Sequence, residues 1–307
     1  MTSVAERAVD AINAISGRHE GFRAAHAKGT LCEGTFTATA EAAELTPAAH
    51  MQGDPVRVTV RFSNGSGDPG APDGERTDGR GMAIKLYLPD GSTTDVIGLT
   101  LPVFFVRDPE AFIAFALARK PDPETGQPDM EKVGAFLAEH PETGAALQLI
   151  LPSLVPPRSY ATCRFNSLHA FKLGERWARY RIEPEAGVEA LPDEELEGAS
   201  PDYLQEEIRE RLAAGPVRFR LLARLADEGD PLDDPTVAWP EERETVDLGL
   251  LELTGLDTTR ERDGDVLVFD PTRVTDGIEC SPDEILHVRS HAYSVSVERR
   301  SGVPRPG

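Results

Sequence analysis

Four segments in the first third of the chain show apolar residues alternating with polar ones. They are residues 31–40, 56–62, 81–87 and 93–97, and clusters of Gly, Pro, Asn or Asp bound each of them. Period-two alternation over such lengths is typical of half-buried strands. The sequence therefore predicts that the first third of the molecule is rich in β-structure.

The rest of the chain mixes helical and strand patterns. Helices are predicted at about residues 3–16 and at 110–119, 130–149, 202–214 and 282–297, and strands at 162–165, 169–173, 177–182, 217–225, 244–253 and 266–269. Strands and helices do not alternate in a βαβ rhythm, which disfavours a doubly wound sheet. We therefore predict an antiparallel barrel or sandwich decorated with helices, in a single domain over residues 1–307.

Charge and hydropathy exclude several classes of partner. The formal net charge is −21, from 53 acidic and 32 basic side chains, so phosphate backbones and anionic lipids are repelled and no nucleic acid is expected as a partner. No segment approaches the ~20 apolar residues needed to cross a bilayer, so we expect no membrane association and a cytoplasmic location. Cys32, Cys163 and Cys280 are far apart, which predicts reduced, mostly buried thiols.

Two short patterns indicate other chemistries. Gly65, Gly67 and Gly70 satisfy the GxGxxG pattern, but Pro and Gly crowd the following segment, so no helix can hold a pyrophosphate and a surface loop is predicted. His287 and His291 lie four residues apart on a predicted helix and could share a zinc ion. A solvated helix face is the interpretation we favour, and the zinc site stays an alternative.

A series of segments, in order along the chain, resembles the motifs of haem catalases. The segments are RAAHAKG at 23–29, VRFS at 60–63, RGMAIK at 80–85, PVFFVRD at 102–108, HAFKL at 169–173 and RSHAY at 289–293. The resemblance extends from about residue 20 to residue 300, nearly the whole chain. It implies an α+β fold, namely a catalase-like antiparallel β-barrel of about eight strands with flanking helices, and a haem cofactor of the b type.

The same motifs imply a role for individual residues. His26 would be the distal acid/base, Ser63 would fix its tautomer and orientation, and Tyr293 would be the proximal ligand of the haem iron. Arg289 lies one helical turn before Tyr293, where it can donate to the phenolate oxygen. The residues implied to contact the porphyrin or its propionates are Arg23, Ala25, Arg61, Phe104, Phe112 and Arg300.

This set of side chains suits peroxide chemistry. A neutral imidazole can take a proton from one oxygen of an iron-bound peroxide and return it to the departing oxygen, giving water and a ferryl haem. An anionic axial oxygen stabilises Fe(III) against reduction, which favours a peroxide enzyme over an oxygen carrier. The resemblance therefore implies an oxidoreductase that acts on peroxide.

The chain departs from catalases just before the PVFF segment. Catalases carry Gly-Asn-Asn there, and one asparagine orients peroxide, whereas this chain has Gly98, Leu99, Thr100 and Leu101. Loss of that amide should most impair the step in which a second peroxide acts as the reductant. We therefore predict a peroxidase that reduces hydrogen peroxide or organic hydroperoxides with small organic electron donors and has weak catalase activity.

The short chain resembles the minimal, catalase-related peroxidases, which lack the long N-terminal arm, the wrapping segment and the flavodoxin-like tail of large catalases. That resemblance implies an open pocket and a small assembly, for which we expect a homodimer.

Two alternative functions stay open. Leu99 and Leu101 suit an enzyme that rearranges fatty-acid hydroperoxides, like allene oxide synthase. A non-catalytic haem-binding protein is the other, although His26 and Ser63 argue against it.

Overall fold

Eight strands close into an antiparallel barrel. The computed structural model describes residues 2–258 and 266–302. The barrel strands are β1 (Gly29–Ala38), β2 (Val56–Asn64), β3 (Arg80–Tyr87), β4 (Thr93–Leu99), β5 (Phe165–Asn166), β7 (Arg176–Pro184), β8 (Val217–Leu225) and β9 (Thr245–Leu256). Each strand pairs with the next one named, and β9 pairs with β1 to complete the ring. Two short strands, β6 (Phe171–Leu173) and β10 (Ile278–Cys280), extend the sheet beyond β7.

Helices cover the outside of the barrel. They are α1 (Val4–Ser16), α2 (Ala40–Leu45), α3 (Pro109–Ala118), α4 (Met130–Glu139), α5 (Pro141–Ile150), α6 (Asp193–Leu196), α7 (Tyr203–Ala214) and α8 (Glu284–Ser301). Three short 3-10 helices lie at Ala49–Met51, Leu151–Ser153 and Tyr160–Thr162. Helix α1 begins with a capping box from Ser3 and Glu6 and packs against both α3 and α8. Within the described ranges, every helix is too short or too polar to cross a membrane.

Strand β2 shows why the two faces of the barrel differ. Val58, Val60 and Phe62 point into the barrel and are fully buried in its core. The Phe62 ring stacks on Tyr160 with ring centroids 5.2 Å apart, and further aromatic side chains fill the space around it. Because successive residues of a strand face opposite sides, the residues between them point outward. The interior is a packed core, so a large ligand site must lie outside it.

The predicted fold class is confirmed, since the barrel has eight antiparallel strands and flanking helices. The segment 130–149, predicted as one helix, is two helices. Helix α4 ends at Glu139 and α5 begins at Pro141, because proline cannot donate a backbone hydrogen bond in a helix interior and is well tolerated in the first turn.

Two predicted strands are wrong. Thr162 ends a 3-10 helix capped by Ser159, Cys163 and Arg164 adopt no regular structure, and pairing is limited to the two residues of β5. Residues 266–269 adopt no regular structure, and their apolar side chains instead pack on the outer face of the barrel. Helix α2, helix α6 and strand β10 were not predicted, because elements this short carry little periodicity. All three cysteines are free thiols, with Cys32 and Cys163 buried.

Candidate active site

A cavity lies against the outer face of β2, β3 and β4, with about 800 Å³ of empty space, its mouth included. The barrel wall comes from outward-facing side chains of these strands, among them Ser63, Ala83 and Leu99. They alternate along each strand with residues of the barrel core, because successive residues of a strand face opposite sides of the sheet. The other walls come from α1, α8 and residues 266–269, and include Val9, Ile12, Leu267, Phe269, Ala292 and Val297.

Eight of the ten residues singled out in the sequence line this one cavity. They are Arg23, Ala25, His26, Arg61, Ser63, Arg289, Tyr293 and Arg300. Phe104 and Phe112 are not among the lining side chains. The Phe104 ring packs against Phe105 and Phe112, at centroid distances of 4.3 and 6.2 Å, in a separate aromatic cluster. Their contact with a porphyrin stays a prediction, and this arrangement does not support it.

On one side of the cavity, His26 and Ser63 form a hydrogen-bonded pair. The His26 Nδ1 atom lies 3.0 Å from the Ser63 Oγ atom. His26 has a positive φ of 55°, which is uncommon for a residue other than glycine. Its backbone N–H donates to the carbonyl oxygen of Gly65 over 3.1 Å, which holds this conformation. The glycine-rich loop therefore positions the histidine, and no helix follows the glycines between residues 65 and 79.

Gly81 leaves the space that the His26–Ser63 pair occupies. A Cβ atom at Gly81 would lie 2.9 Å from Ser63 Oγ and 3.0 Å from His26 Nδ1, which is too close for either atom to stay in place. We expect Gly81→Ala to lower kcat/KM for peroxide by about 10- to 100-fold through misplacement of the imidazole. Gly134→Ala is the matched control, because a Cβ there meets nothing within 4 Å. Equal kinetics for the two variants would contradict this role.

His26 is neutral over the physiological range. Burial, together with the nearby cations of Arg61, Arg289 and Arg23, lowers the pKa of His26 to about 3. The neutral form dominates above that pKa, so we expect the rate of the peroxide reaction to stay constant from about pH 8 to about pH 5 and to fall only as the pH approaches the pKa. Stopped-flow measurements across this range check it. An inflection near pH 6.5, the unperturbed value for histidine, would contradict it.

On the other side, helix α8 carries Arg289 and Tyr293 one turn apart. The Arg289 Nε and Nη2 atoms both donate to the Tyr293 hydroxyl oxygen, over 3.0 and 2.8 Å. Two guanidinium donors on one oxygen match the acceptor capacity of a phenolate. The hydroxyl is therefore in the charge environment that an anionic metal ligand needs.

Arg289 is itself held by a buried chain of hydrogen bonds. Its Nη1 atom lies 2.8 Å from His169 Nε2, and His169 Nδ1 lies 2.6 Å from Asp283 Oδ2. Burial lowers the pKa of His169, which keeps its imidazole neutral. Arg289 can only donate, so His169 accepts at Nε2 and donates from Nδ1 to Asp283. The other carboxylate oxygen of Asp283 caps α8 at Ile285, so one residue fixes both the helix and its arginine.

The sequence analysis includes His169 in the HAFKL segment but gives it no function. It does not single out Asp283. Asp283 is the second residue of the predicted helix 282–297, and an Asp at a helix start is a candidate N-cap, because its side-chain oxygen accepts from the first free N–H groups. A cap needs only local contacts. The bond to His169 joins residues 114 positions apart, and no local signal reveals such a contact.

Three arginines gather at one end of the cavity. Arg23 and Arg300 both donate from Nη2 to the carbonyl oxygen of Leu267, over 3.2 and 3.4 Å. Arg61 donates to the carbonyl oxygen of Ala27 over 3.2 Å. Arg61 also requires Gly29, where a Cβ would lie 2.8 Å from the guanidinium carbon. Guanidinium groups at this end offset the cost of burying carboxylates.

These features fit a haem. The walls are mostly apolar, cationic groups lie at one end, and a tyrosine oxygen with two donors faces the cavity. Leu99 lines the wall where catalases carry an amide, whereas Leu101 is buried elsewhere, against Gly79. His287 contacts the carbonyl oxygen of Ser281 over 2.8 Å and His291 is exposed. Within residues 2–258 and 266–302, no three His, Cys, Asp or Glu side chains form a metal-binding group.

Comparison with known proteins gives the same family over most of the chain. The family model described as catalase matches residues 13–304. A catalase-related peroxidase from Mycolicibacterium paratuberculosis is 43% identical over 98% of this chain and 96% of its own length. Another, from Synechococcus elongatus, is 36% identical over 96% of this chain and 88% of its own length.

Solved structures agree with the sequence matches. The crystal structure of a fungal catalase superposes with a TM-score of 0.81 at 26% identity, and catalase A from Saccharomyces cerevisiae has the same TM-score at 25% identity. They match 93% and 92% of this chain, which spans only 61% and 62% of theirs. The fold, the cavity and the matched family lead to one conclusion: the chain belongs to the catalase family.

Proposed function

We propose that this chain is a haem-dependent peroxidase that reduces hydrogen peroxide or organic hydroperoxides with small organic electron donors. The observation that carries the proposal is the meeting, in one cavity, of the His26–Ser63 pair and the Arg289–Tyr293 pair. Two relatives of this chain, 43% and 36% identical, are named catalase-related peroxidases, which also supports the proposal. A b-type haem and a homodimer are part of the proposal, on the basis of the family motifs.

The chain offers Tyr293 as the iron ligand and Arg23, Arg61 and Arg300 as partners for the propionates. When bound, the haem supplies an iron centre that binds peroxide and passes on two oxidising equivalents. Two one-electron donors complete the reaction. Hydrogen peroxide, two protons and two electrons give two molecules of water.

His26 moves a proton between the two peroxide oxygens. Its Nδ1 atom is held by Ser63, which leaves Nε2 as the ring nitrogen on the side away from Ser63. The neutral ring accepts a proton at Nε2 from the oxygen that attacks and returns it to the oxygen that leaves. Ser63 keeps the ring in one orientation during the transfer.

Leu99 favours peroxidase turnover over dismutation. A catalase must orient a second peroxide with both of its oxygens in reach, and an isobutyl side chain cannot donate a hydrogen bond. An organic donor gives electrons singly and does not need that orientation. The mostly apolar wall also favours a second candidate, rearrangement of a fatty-acid hydroperoxide, because an acyl chain would be desolvated there.

Three parallel assays on the haem-loaded protein separate these activities. Dioxygen release measures dismutation, oxidation of a phenolic dye measures peroxidase turnover, and loss of a linoleic acid hydroperoxide without added donor measures rearrangement. We expect dye oxidation to dominate at equal peroxide concentration. Rapid loss of the lipid hydroperoxide with no dye oxidation would overturn the proposal. Haem binding without any turnover would indicate a non-catalytic haem protein.

A further inference from the structure

A second pocket, polar and open, adjoins the arginine end of the haem cavity. It has about 1400 Å³ of empty space, its opening to solvent included. Arg23, Arg61, Leu267 and Arg300 line both the cavity and this pocket. The first two turns of α7 form its far wall. A molecule bound here would lie beside the arginines that would hold the haem propionates, and outside the cavity that His26 and Tyr293 line.

Two donors on α7 face this pocket without a partner. The Nε2 atom of Gln205 is buried, and it has no hydrogen bond to any described residue. A buried amide N–H without a partner costs free energy, so an acceptor from a ligand would be favoured there. Arg209 lies four residues later on the same helix face, where it is exposed and makes no ion pair with a described residue. Together they offer a hydrogen bond and a charge to an anionic group.

The charge of the pocket is opposite to that of the molecule. Its described lining includes five basic side chains, namely Arg23, Lys28, Arg61, Arg209 and Arg300, and two acidic ones, Asp202 and Glu206. Lys28 is already neutralised, since it contacts both Asp73 and Asp202. On a chain of net charge −21, such a local excess of cations concentrates small anions. Even after two propionates engage the inner arginines, Arg209 stays unpaired at the outer wall.

An aromatic ring completes the pocket. Phe22 belongs to its lining and is 47% exposed, although most large apolar side chains of this protein are buried. An exposed phenylalanine beside unpartnered donors suits a flat, ring-bearing ligand, which can pack on its face.

We propose that this pocket binds the electron donor, and that the donor is a small phenolic carboxylate, with its carboxylate at Arg209 and Gln205 and its ring near Phe22. The proposal rests on the peroxidase function proposed above. Each donor releases one electron and the phenolic proton and becomes a phenoxyl radical. Two donors reduce one hydrogen peroxide to two molecules of water, so electrons and protons balance.

The test compares 4-hydroxybenzoate with its uncharged analogue 4-hydroxybenzamide on the haem-loaded protein. We expect Arg209→Glu to lower kcat/KM for the carboxylate by about tenfold, and Arg209→Gln by about threefold, at low ionic strength. Neither variant should change kcat/KM for the amide. Gln205→Leu should weaken carboxylate binding in isothermal titration calorimetry, a readout independent of turnover. Arg211→Gln, on the same helix but paired with Glu207, is the control and should match the native protein.

The outcomes separate the two proposals. If both donors are oxidised and every Arg209 variant keeps the native ratio of carboxylate to amide, the donor site is wrong and the peroxidase function stands. If neither donor nor the phenolic dye is oxidised, the peroxidase function itself fails. If Arg209→Glu does not fold, Arg209→Gln and the salt dependence of the native protein still test the donor site. About 0.3 M salt should remove most of the native preference for the carboxylate over the amide.

Discussion

Replacement of Tyr293 by phenylalanine is expected to abolish stable haem binding and to lower peroxidase activity by more than about 100-fold, since even residues that only support a metal ligand change affinity or activity by about 10- to 100-fold. The variant keeps the ring and loses only the oxygen that Arg289 holds with two hydrogen bonds. Titration of haemin into the protein, followed by its absorption spectrum, measures the effect. The band of high-spin ferric haem with a tyrosinate ligand should be absent or strongly changed.

Tyr87→Phe is the matched control for this substitution. Tyr87 lies on β3, and its hydroxyl contacts Thr59, away from the cavity. We expect this variant to bind haemin as the native protein does. A native spectrum in Tyr293→Phe would show that another residue binds the iron. The assignment of Tyr293 as the iron ligand would then be wrong. Failure of the native protein to bind haemin would remove the cofactor assignment altogether.

Replacement of His26 by alanine is expected to leave haem binding intact and to lower kcat/KM for hydrogen peroxide by about a thousandfold, within the ~10²–10⁴-fold that a positioned acid/base contributes. The absorption spectrum of the haem-loaded variant and the stopped-flow rate of its reaction with peroxide separate the two effects. His291→Ala is the control, because His291 is exposed on α8. A native rate in His26→Ala would assign the proton transfer to water or to another group.

The barrel was predictable because its evidence is local. Alternation along β2 already distinguishes Val60 and Phe62, which face the core, from Arg61 and Ser63, which face the cavity. The same alternation explains why a short motif such as VRFS can carry both packing and chemistry. The predicted strand at residues 266–269 was wrong because its periodicity is weak. A short apolar segment has the same sequence pattern whether or not it pairs with another strand.

Long-range contacts were the part that the sequence did not reveal. The amphipathic pattern of α1 predicts an apolar face, yet it does not say that Val9 and Ile12 cover the cavity. The same holds for the bond between His169 and Asp283. The motifs place Phe104 and Phe112 near a porphyrin, which stays a prediction, and they do not show that the two rings pack together. The order of the motifs indicates the protein family, whereas contacts between distant segments depend on tertiary packing.

The packed interior of the barrel and the cavity on its outer face use alternate residues of the same strands, and this division has an evolutionary consequence. Ala83, Ile97 and Leu99 can change in size or polarity without altering the volume of the core beneath them. Selection can therefore adjust what the pocket accepts without repacking the barrel core. A scaffold of this kind can diversify among peroxide-dependent reactions while its barrel stays the same, and saturation mutagenesis of these three positions would sample that diversity directly.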